Sequence, residues 1–563
     1  MFVALTVLVA TSGTTFADTA LVTAQLGTAS SCTPVVSLTE LLTDPGFDSL
    51  FKNRAPGWND NVWGGATVAN SRVTSGQHSG AAAQRMTVTL PPKGAGVEYT
   101  QNQTFLAGQV YQASVWLRSP TSTTLDFQLR QQHAYYEAGA EQRVQLTPNW
   151  QHFVIQGGFS VNTAGFFGIS FVTAGTVVID DASLRAVSDT QCVATTAPIP
   201  ATYFGMHVNK WGNYPKWPSE MNFGTMRLWD TGTTWADIEP QRGVWNWTRM
   251  DYYMKEAVAN HEAVIYTMGQ TPQWASARPN DPRDGAVAEP ANIADWRTYV
   301  RAVATRYKGE IKYWEIWNES DQGMFYTGTP QTLVTLTSAA RETLLAVDPT
   351  NTVLSPDFTP AGLPFMAQFL ADGGGKYIDV MSVHQYPLMT PEDDRPFFVA
   401  VGDLMQHSGI GGKPIWNTEG AAGSPTLANP QAGGMVARAY LVQWAWGIQN
   451  FSWYTWEGQI GSPLSQADYM TPTAAGIAYE QVDRWLRGAE MLSRSTDVNG
   501  TWTITLKLAS GARAYAVWNV NGPSTFTIPT GWEVAHAEDL TGATAGLSGA
   551  SVAIGTAPLL LVR

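Results

Sequence analysis

From about Thr33 to Leu184 the chain alternates apolar and polar residues in short runs such as Tyr111-Gln112-Ala113-Ser114-Val115-Trp116-Leu117, broken by Gly, Pro, Ser and Thr. Successive strand side chains point to opposite faces, so this alternation predicts antiparallel β structure with one covered face. Residues 33–192 are therefore assigned to a β-jelly roll. Residues 193–201, a mixture of Thr, Ala and Pro without charge, read as a short semi-stiff linker. From 202 to 488 strand-like runs recur at Tyr203–Val208, Gly224–Trp229, Ala263–Met268, Lys312–Trp317, Thr352–Ser355, Tyr377–Val383, Pro414–Thr418 and Phe451–Thr455. Between them lie amphipathic stretches such as Ile293–Tyr307 and Pro330–Val347, with apolar residues at spacings of three and four. Strand and helix in alternation, eight times over, predict a (β/α)8 TIM barrel. Residues 489–563 return to alternation and are assigned to a small C-terminal β-sandwich.

A chain of 563 residues exceeds the roughly 250 to 300 at which one core stops growing, which agrees with three modules. The net charge of −13, with no basic run, excludes nucleic acid and anionic membrane as partners, since both need clustered Lys and Arg. Residues 1–17 hold a short apolar run, Phe2–Ala10, then Thr15-Phe16-Ala17, which reads as a signal segment and places the protein outside the cell; no Lys or Arg precedes the run, a departure from that pattern. The chain is expected to act as a monomer. Cys32 and Cys192 exclude a multi-cysteine zinc site and leave free thiols or one disulfide. They bracket the first module, and adjacent first and last strands of a jelly roll would allow the bridge.

Charged residues are only 14% of the chain, whereas there are 23 Trp. Flat rings beside carboxylates and amides suit sugars, which present C–H groups on one face and hydroxyls at the rim. Core filling accounts for many of these rings equally well. In barrels of this kind the residues at the C-terminal ends of strands carry the chemistry. The fourth run ends Trp317-Asn318-Glu319 and the seventh ends Asn417-Thr418-Glu419, so two carboxylates reach the same mouth. Glu315, facing opposite Trp314 and Ile316, is an inward barrel carboxylate rather than a catalyst. No zincin helix, phosphate loop or dinucleotide fingerprint occurs, so no metal or redox cofactor is implied in catalysis.

Residues 203–456 resemble glycoside hydrolase clan A, the cellulase-like and family 39 hydrolases most closely. The resemblance implies retaining hydrolysis with Glu319 as general acid/base and Glu419 as nucleophile. It further implies that Asn318 contacts a sugar hydroxyl, that Arg227 supports the nucleophile, that His384 and Tyr386 correspond to the clan's His-x-Tyr, that Trp456 floors the subsite of the scissile sugar, and that Trp274 lies near substrate. His207 faces the sugar or is a buried structural histidine, and the role of Glu457 stays open. Two carboxylates about 5 to 5.5 Å apart leave no room for water and give net retention. Repulsion from Glu419 is expected to keep Glu319 protonated.

The first module, through Asp44–Asp48, Leu146–Trp150 and Val178–Leu184, resembles jelly-roll carbohydrate-binding modules. Trp58, Trp63, Tyr99, Tyr135 and Tyr136 are candidate stacking platforms, while Trp116 and Trp150 are expected in the core. By the same resemblance Asp48 and Asp181 are candidate ligands of a structural calcium. An endo-acting enzyme on a β-linked polysaccharide, tethered by the first module, is the reading this supports. An exo-acting β-xylosidase or arabinosidase-like enzyme and a non-catalytic carbohydrate-binding protein are its rivals.

Overall fold

The structure, a computed structural model, describes residues 35–563 except 92–93, 133–135, 190, 211–216, 218–221, 282–284, 388, 425–430, 459 and 548. The expected signal segment 1–17, Cys32 and Tyr135 lie outside the described residues.

The first module has ten strands: β1 (Asn59–Trp63), β2 (Thr67–Val73), β3 (Ala83–Thr89), β4 (Gly96–Phe105), β5 (Val110–Arg118), β6 (Thr123–Gln131), β7 (Ala138–Leu146), β8 (Gln151–Gly157), β9 (Thr163–Phe171) and β10 (Gly175–Val187). They form two five-stranded sheets, ordered β1-β4-β9-β6-β7 and β2-β3-β10-β5-β8, and every pairing is antiparallel. Alternate residues of a strand, such as Tyr111, Ala113 and Val115 of β5, join Phe127, Leu129, Phe167 and Ile169 in filling the space between the sheets.

The barrel follows, with β11 (Phe204–Met206), β12 (Thr225–Leu228), β13 (Ala263–Met268), β14 (Ile311–Ile316), β15 (Thr352–Leu354), β16 (Met381–His384), β17 (Ile415–Gly420) and β18 (Ile448–Trp453). Neighbouring strands pair in parallel, and bridges Leu354–Val380 and Phe358–Val383 join β15 to β16 and close the ring. Outside it lie α1 (Trp235–Ile238), α2 (Thr248–Ala259), α3 (Ile293–Arg306), α4 (Pro330–Val347), α5 (Leu363–Ala371), α6 (Arg395–His407), α7 (Gln431–Ala445) and α8 (Ala474–Leu486). Caps explain several starts: Thr329, Thr473 and Asn292 each accept a first-turn N–H, and α4 begins with Pro330.

The last module comprises β19 (Glu490–Thr496), β20 (Thr501–Lys507), β21 (Arg513–Asn519), β22 (Ser524–Thr527), β23 (His536–Glu538), β24 (Thr544–Gly546), β25 (Ser551–Ile554) and β26 (Leu559–Val562). Six strands make one sheet and β22 pairs with β25. One face, with Met491, Trp502, Ile504 and Trp518, merges with the barrel core, while Tyr515, Val517 and Leu561 lie in a separate cluster with Ile554 of β25.

The expected linker is not loose. Ala194 N–H donates to the Ala445 carbonyl, Ile199 N–H to the Ala489 carbonyl, and Pro198 bridges to Glu490. The first module is likewise docked rather than tethered: β7 and β8 pack on α5 and α6, and Gln156 N–H donates to Asp403. The approach is close at Gly157, where a Cβ would sit 3.0 Å from the Ala400 methyl and 2.0 Å from the Gly139 carbonyl. Cys192, at the end of this module, is disulfide-bonded.

Candidate active site

β14 and β17 deliver Glu319 and Glu419 to one end of the barrel, where an oxygen of each and a ring nitrogen of His384 all lie within 4.8 Å of one another. The backbone bends sharply there: Trp317 has φ 65° and Glu319 φ 40°, conformations that cost a non-glycine residue about 1 to 3 kcal/mol and persist only where surroundings impose them. What imposes this one is Asp357, after β15, whose Oδ1 accepts the Glu319 N–H.

Arg227, fully buried at the end of β12, holds the floor together. Its Nε donates to Glu315 Oε2 (2.6 Å), one terminal nitrogen to Glu419 Oε2 (2.8 Å), and the other to Asn318 Oδ1 and Asp357 Oδ2 (both 2.9 Å). Glu315 lies inside the barrel, its oxygens completed by Thr267 and Ser382 hydroxyls at 2.7 and 2.6 Å. Burial alone would raise its pKa, but Arg227, His384 and these hydroxyls outweigh it and hold the carboxyl below its ordinary range. Tyr386 O–H donates to Glu419 Oε1 at 2.7 Å.

His384 sits between three carboxylates: Nδ1 is 3.0 Å from Glu319 Oε1 and 3.9 Å from Glu419 Oε2, and Nε2 is 3.3 Å from Asp357 Oδ2. Burial disfavours its charge, yet Asp357 and Glu419 raise its pKa well above the ordinary value. The resulting imidazolium reverses the expected order of the two glutamates. Burial raises Glu319, but the hydrogen bond and charge of His384 dominate and leave it lowered; Glu419 is raised, by burial first. Asp357 is pushed up to about 7, again by burial first.

Other expected residues separate. His207 is fully buried, its Nε2 paired with the Thr418 carbonyl at 2.9 Å and its pKa lowered well below the ordinary value by burial, so it props β17 and does not face the cleft. Trp456 is also fully covered, with its indole N–H donated to the Tyr469 carbonyl at 2.8 Å, because the chain turns inward after β18. Tyr454, two residues earlier, donates to Asp230 at 2.7 Å and meets the Tyr386 and His207 rings edge-on. Trp274 is half-buried, capped by Arg242 at 4.4 Å and bonded to the Glu239 carbonyl. Glu457 accepts the Lys210 N–H at 2.7 Å.

In the first module Trp58 and Tyr99 are core residues, stacked at 4.9 Å, so neither is a platform. Trp63 is 45% exposed and lies flat over Gly96, where a Cβ would meet the ring at 2.0 Å; Tyr136 is 56% exposed. Trp116 and Trp150, expected in the core, sit half-buried on the outer face: β5 turns Trp116 outward between His78 and His152, and Arg118 covers Trp150. Asp48 and Asp181 converge on Gly46, but Asp48 Oδ1 accepts the Ala81 and Ala82 N–H groups, and Asp181 pairs with His78 and Ser79.

Residues 226–328 match the family described as Glycosyl hydrolase family 10. No curated protein matches the chain. A family 39 glycoside hydrolase from the gut symbiont Bacteroides cellulosilyticus WH2 superimposes with a TM-score of 0.54 at 15% identity, covering 78% of this chain and 95% of that one. A monomeric β-xylosidase from Caulobacter crescentus CB15 gives 0.49 at 14% identity, over 66% and 97% of the two chains. A GH30 endoxylanase from Clostridium papyrosolvens C71 gives 0.47 at 12%, over 65% and 97%. The first of these shows a shared fold. The stretch that matches the glycosyl hydrolase model contributes Arg227, Asn318 and Glu319 to the mouth of that barrel.

Proposed function

We propose that the protein is a retaining O-glycoside hydrolase, exported and monomeric, that cuts within a β-linked polysaccharide, with Glu419 as nucleophile and Glu319 as general acid/base. The observation that carries this is the approach of the two carboxylates to within 4.8 Å, too close for an intervening attacking water and suited to double displacement.

In the first step Glu419 attacks the anomeric carbon while Glu319 protonates the leaving oxygen. The acid form of Glu319 is reached by moving the proton on His384 Nδ1 across the 3.0 Å hydrogen bond to Oε1 as substrate displaces water. The C–O bond to the leaving sugar breaks and an ester to Glu419 forms. Glu419's negative charge then disappears, Glu319 takes a proton from water, and the resulting hydroxide opens the ester with a second inversion. Arg227 and Tyr386 stabilise Glu419 as it departs again. Exposed Trp63 on the first module supports contact with a polymer outside the cleft.

The test is a panel of aryl β-glycosides and polysaccharides with wild type, Glu319→Ala and Glu419→Ala. Large losses in both variants are expected; equal rates in all three would remove the enzyme reading. Oligomers of mixed length indicate endo action, and monomer alone would assign exo action instead.

A further inference from the structure

Tyr386 reaches Glu419 from the segment between β16 and α6, and that segment is held from outside the barrel. Gln385, next to Tyr386, donates its Nε2–H to Asp394 Oδ1 at 2.7 Å, and its backbone N–H to Asn417 Oδ1 at 3.1 Å. Asp394 is buried at the start of α6. Two residues earlier, Glu392 Oε1 accepts the indole N–H of Trp518 from β21 in the last module at 2.8 Å, with Arg438 Nε at 3.5 Å. One residue later, Arg395 lies 3.5 Å from Asp189, just past β10 of the first module, and Asp189 is gripped at 2.5 Å by both terminal nitrogens of Arg494 from β19. The first module also presses on the segment: a Cβ at Gly108 would stand 3.0 Å from Asp393 Oδ1, and one at Gly158 would stand 3.2 Å from Pro396 Cβ.

We infer that both flanking modules clamp Glu392–Pro396, and that Asp394 and Trp518 are positioning residues for the nucleophile, acting through Gln385 and Tyr386. The inference rests on the role proposed above for Glu419. Its physical content is that a reacting oxygen must be held to within a fraction of an ångström, while the barrel alone supplies only the strand end before Tyr386. A neutral Asp394 suffices for the Gln385 bond, and burial raises its pKa well above the usual carboxylate range. The ionisable groups facing Glu419 include Arg227, His384, Glu319, Tyr386 and Tyr454, so a loosened Tyr386 would be read in the acid limb of the pH profile.

The full chain is compared with Trp518→Phe, which keeps a ring but removes the N–H, with Asp394→Ala, and with Asp394→Asn, whose amide oxygen accepts the same Gln385 bond. On an aryl glycoside, kcat should fall roughly tenfold in Trp518→Phe and Asp394→Ala with KM unchanged, and the acid limb of kcat/KM should move to higher pH. Asp394→Asn should restore both. Rates within twofold of wild type in the first two variants, or equal loss in Asp394→Asn and Asp394→Ala, would overturn the clamp. Glu419→Ala is run alongside: if it keeps full activity the catalytic reading fails, and if it is inactive while the clamp variants are normal, only the clamp fails.

Discussion

Replacing Tyr386 by Phe removes one oxygen from the active site and nothing else of comparable size. The residue is partly buried, and desolvation, followed by the charge of Glu419, raises its own pKa well above the ordinary value, so it remains a neutral donor across the working range. Its 2.7 Å bond goes to a carboxylate, and such bonds are worth about 1.5 to 3 kcal/mol. At 1.36 kcal/mol per unit, losing the donor should lift the Glu419 pKa by about 1 to 2 units. The direction follows from which form is held: the bond favours the ionised carboxylate, and burial has already raised its pKa. Attack requires the ionised form, so activity is lost as pH falls through this pKa, and in Tyr386→Phe that loss comes at higher pH. The assay is kcat/KM against pH with an aryl glycoside, together with kcat on the plateau, where a loss of about 10- to 100-fold is expected if the bond persists to the transition state. An acid limb that does not move, with a plateau within twofold of wild type, would refute the assignment of Glu419 as the charged partner of Tyr386.

Three further outcomes follow from the same geometry. Arg227→Met strands Glu315, Asp357 and Glu419 without their shared cation and should destabilise the fold by about 3 to 5 kcal/mol in denaturant titrations. Because the folded pKa of Glu315 lies below its ordinary 4.5, its stabilising share is present above that pH and fades below it, so the deficit should narrow in acid; a constant deficit from pH 7 to 3 would contradict this. Glu419→Ala supplied with azide should regain turnover and yield the glycosyl azide of inverted configuration, which proton NMR resolves; a retained product would assign the nucleophile elsewhere. Trp63→Ala should weaken retention on an insoluble polysaccharide by about 1 to 3 kcal/mol per stacked ring while leaving aryl glycoside hydrolysis unchanged, and undiminished retention would exclude that ring as a platform.

The barrel was legible because each parallel strand is an apolar run followed at once by polar residues, and Asn318-Glu319 and Thr418-Glu419 stand at that boundary. Asp357 has the same position after β15, but that strand has three residues and runs into Ser355-Pro356, which reads as a turn. The local pattern therefore concealed the carboxylate that fixes Glu319. Tyr454 and Trp456 are two residues apart past the end of β18, and alternation does not say which of them the chain tucks inward; the carbonyl of Tyr469 decides it. Trp58 and Trp63 present the same difficulty in the first module, settled by Tyr99 on a distant strand. The order of the two glutamate pKa values escaped for another reason: it depends on His384 being charged, and Asp357 and Glu419, from two different strand ends, favour that charge. Local composition likewise made 193–201 look loose, since Thr, Ala and Pro carry no sign of partners as distant in the chain as Ala445 and Ala489.

That crossing segment has a practical consequence. Its backbone is stitched to Ala445 on one side and Ala489 on the other, and the faces it joins are apolar. Heating should therefore give one calorimetric endotherm instead of three, and a protease offered the native enzyme should find no severable joint at residues 194–200. Cutting the last module away would uncover the apolar barrel face now covered by Met491, Trp502, Ile504 and Trp518, so the shortened chain should aggregate and an exchange has to carry that module with the barrel.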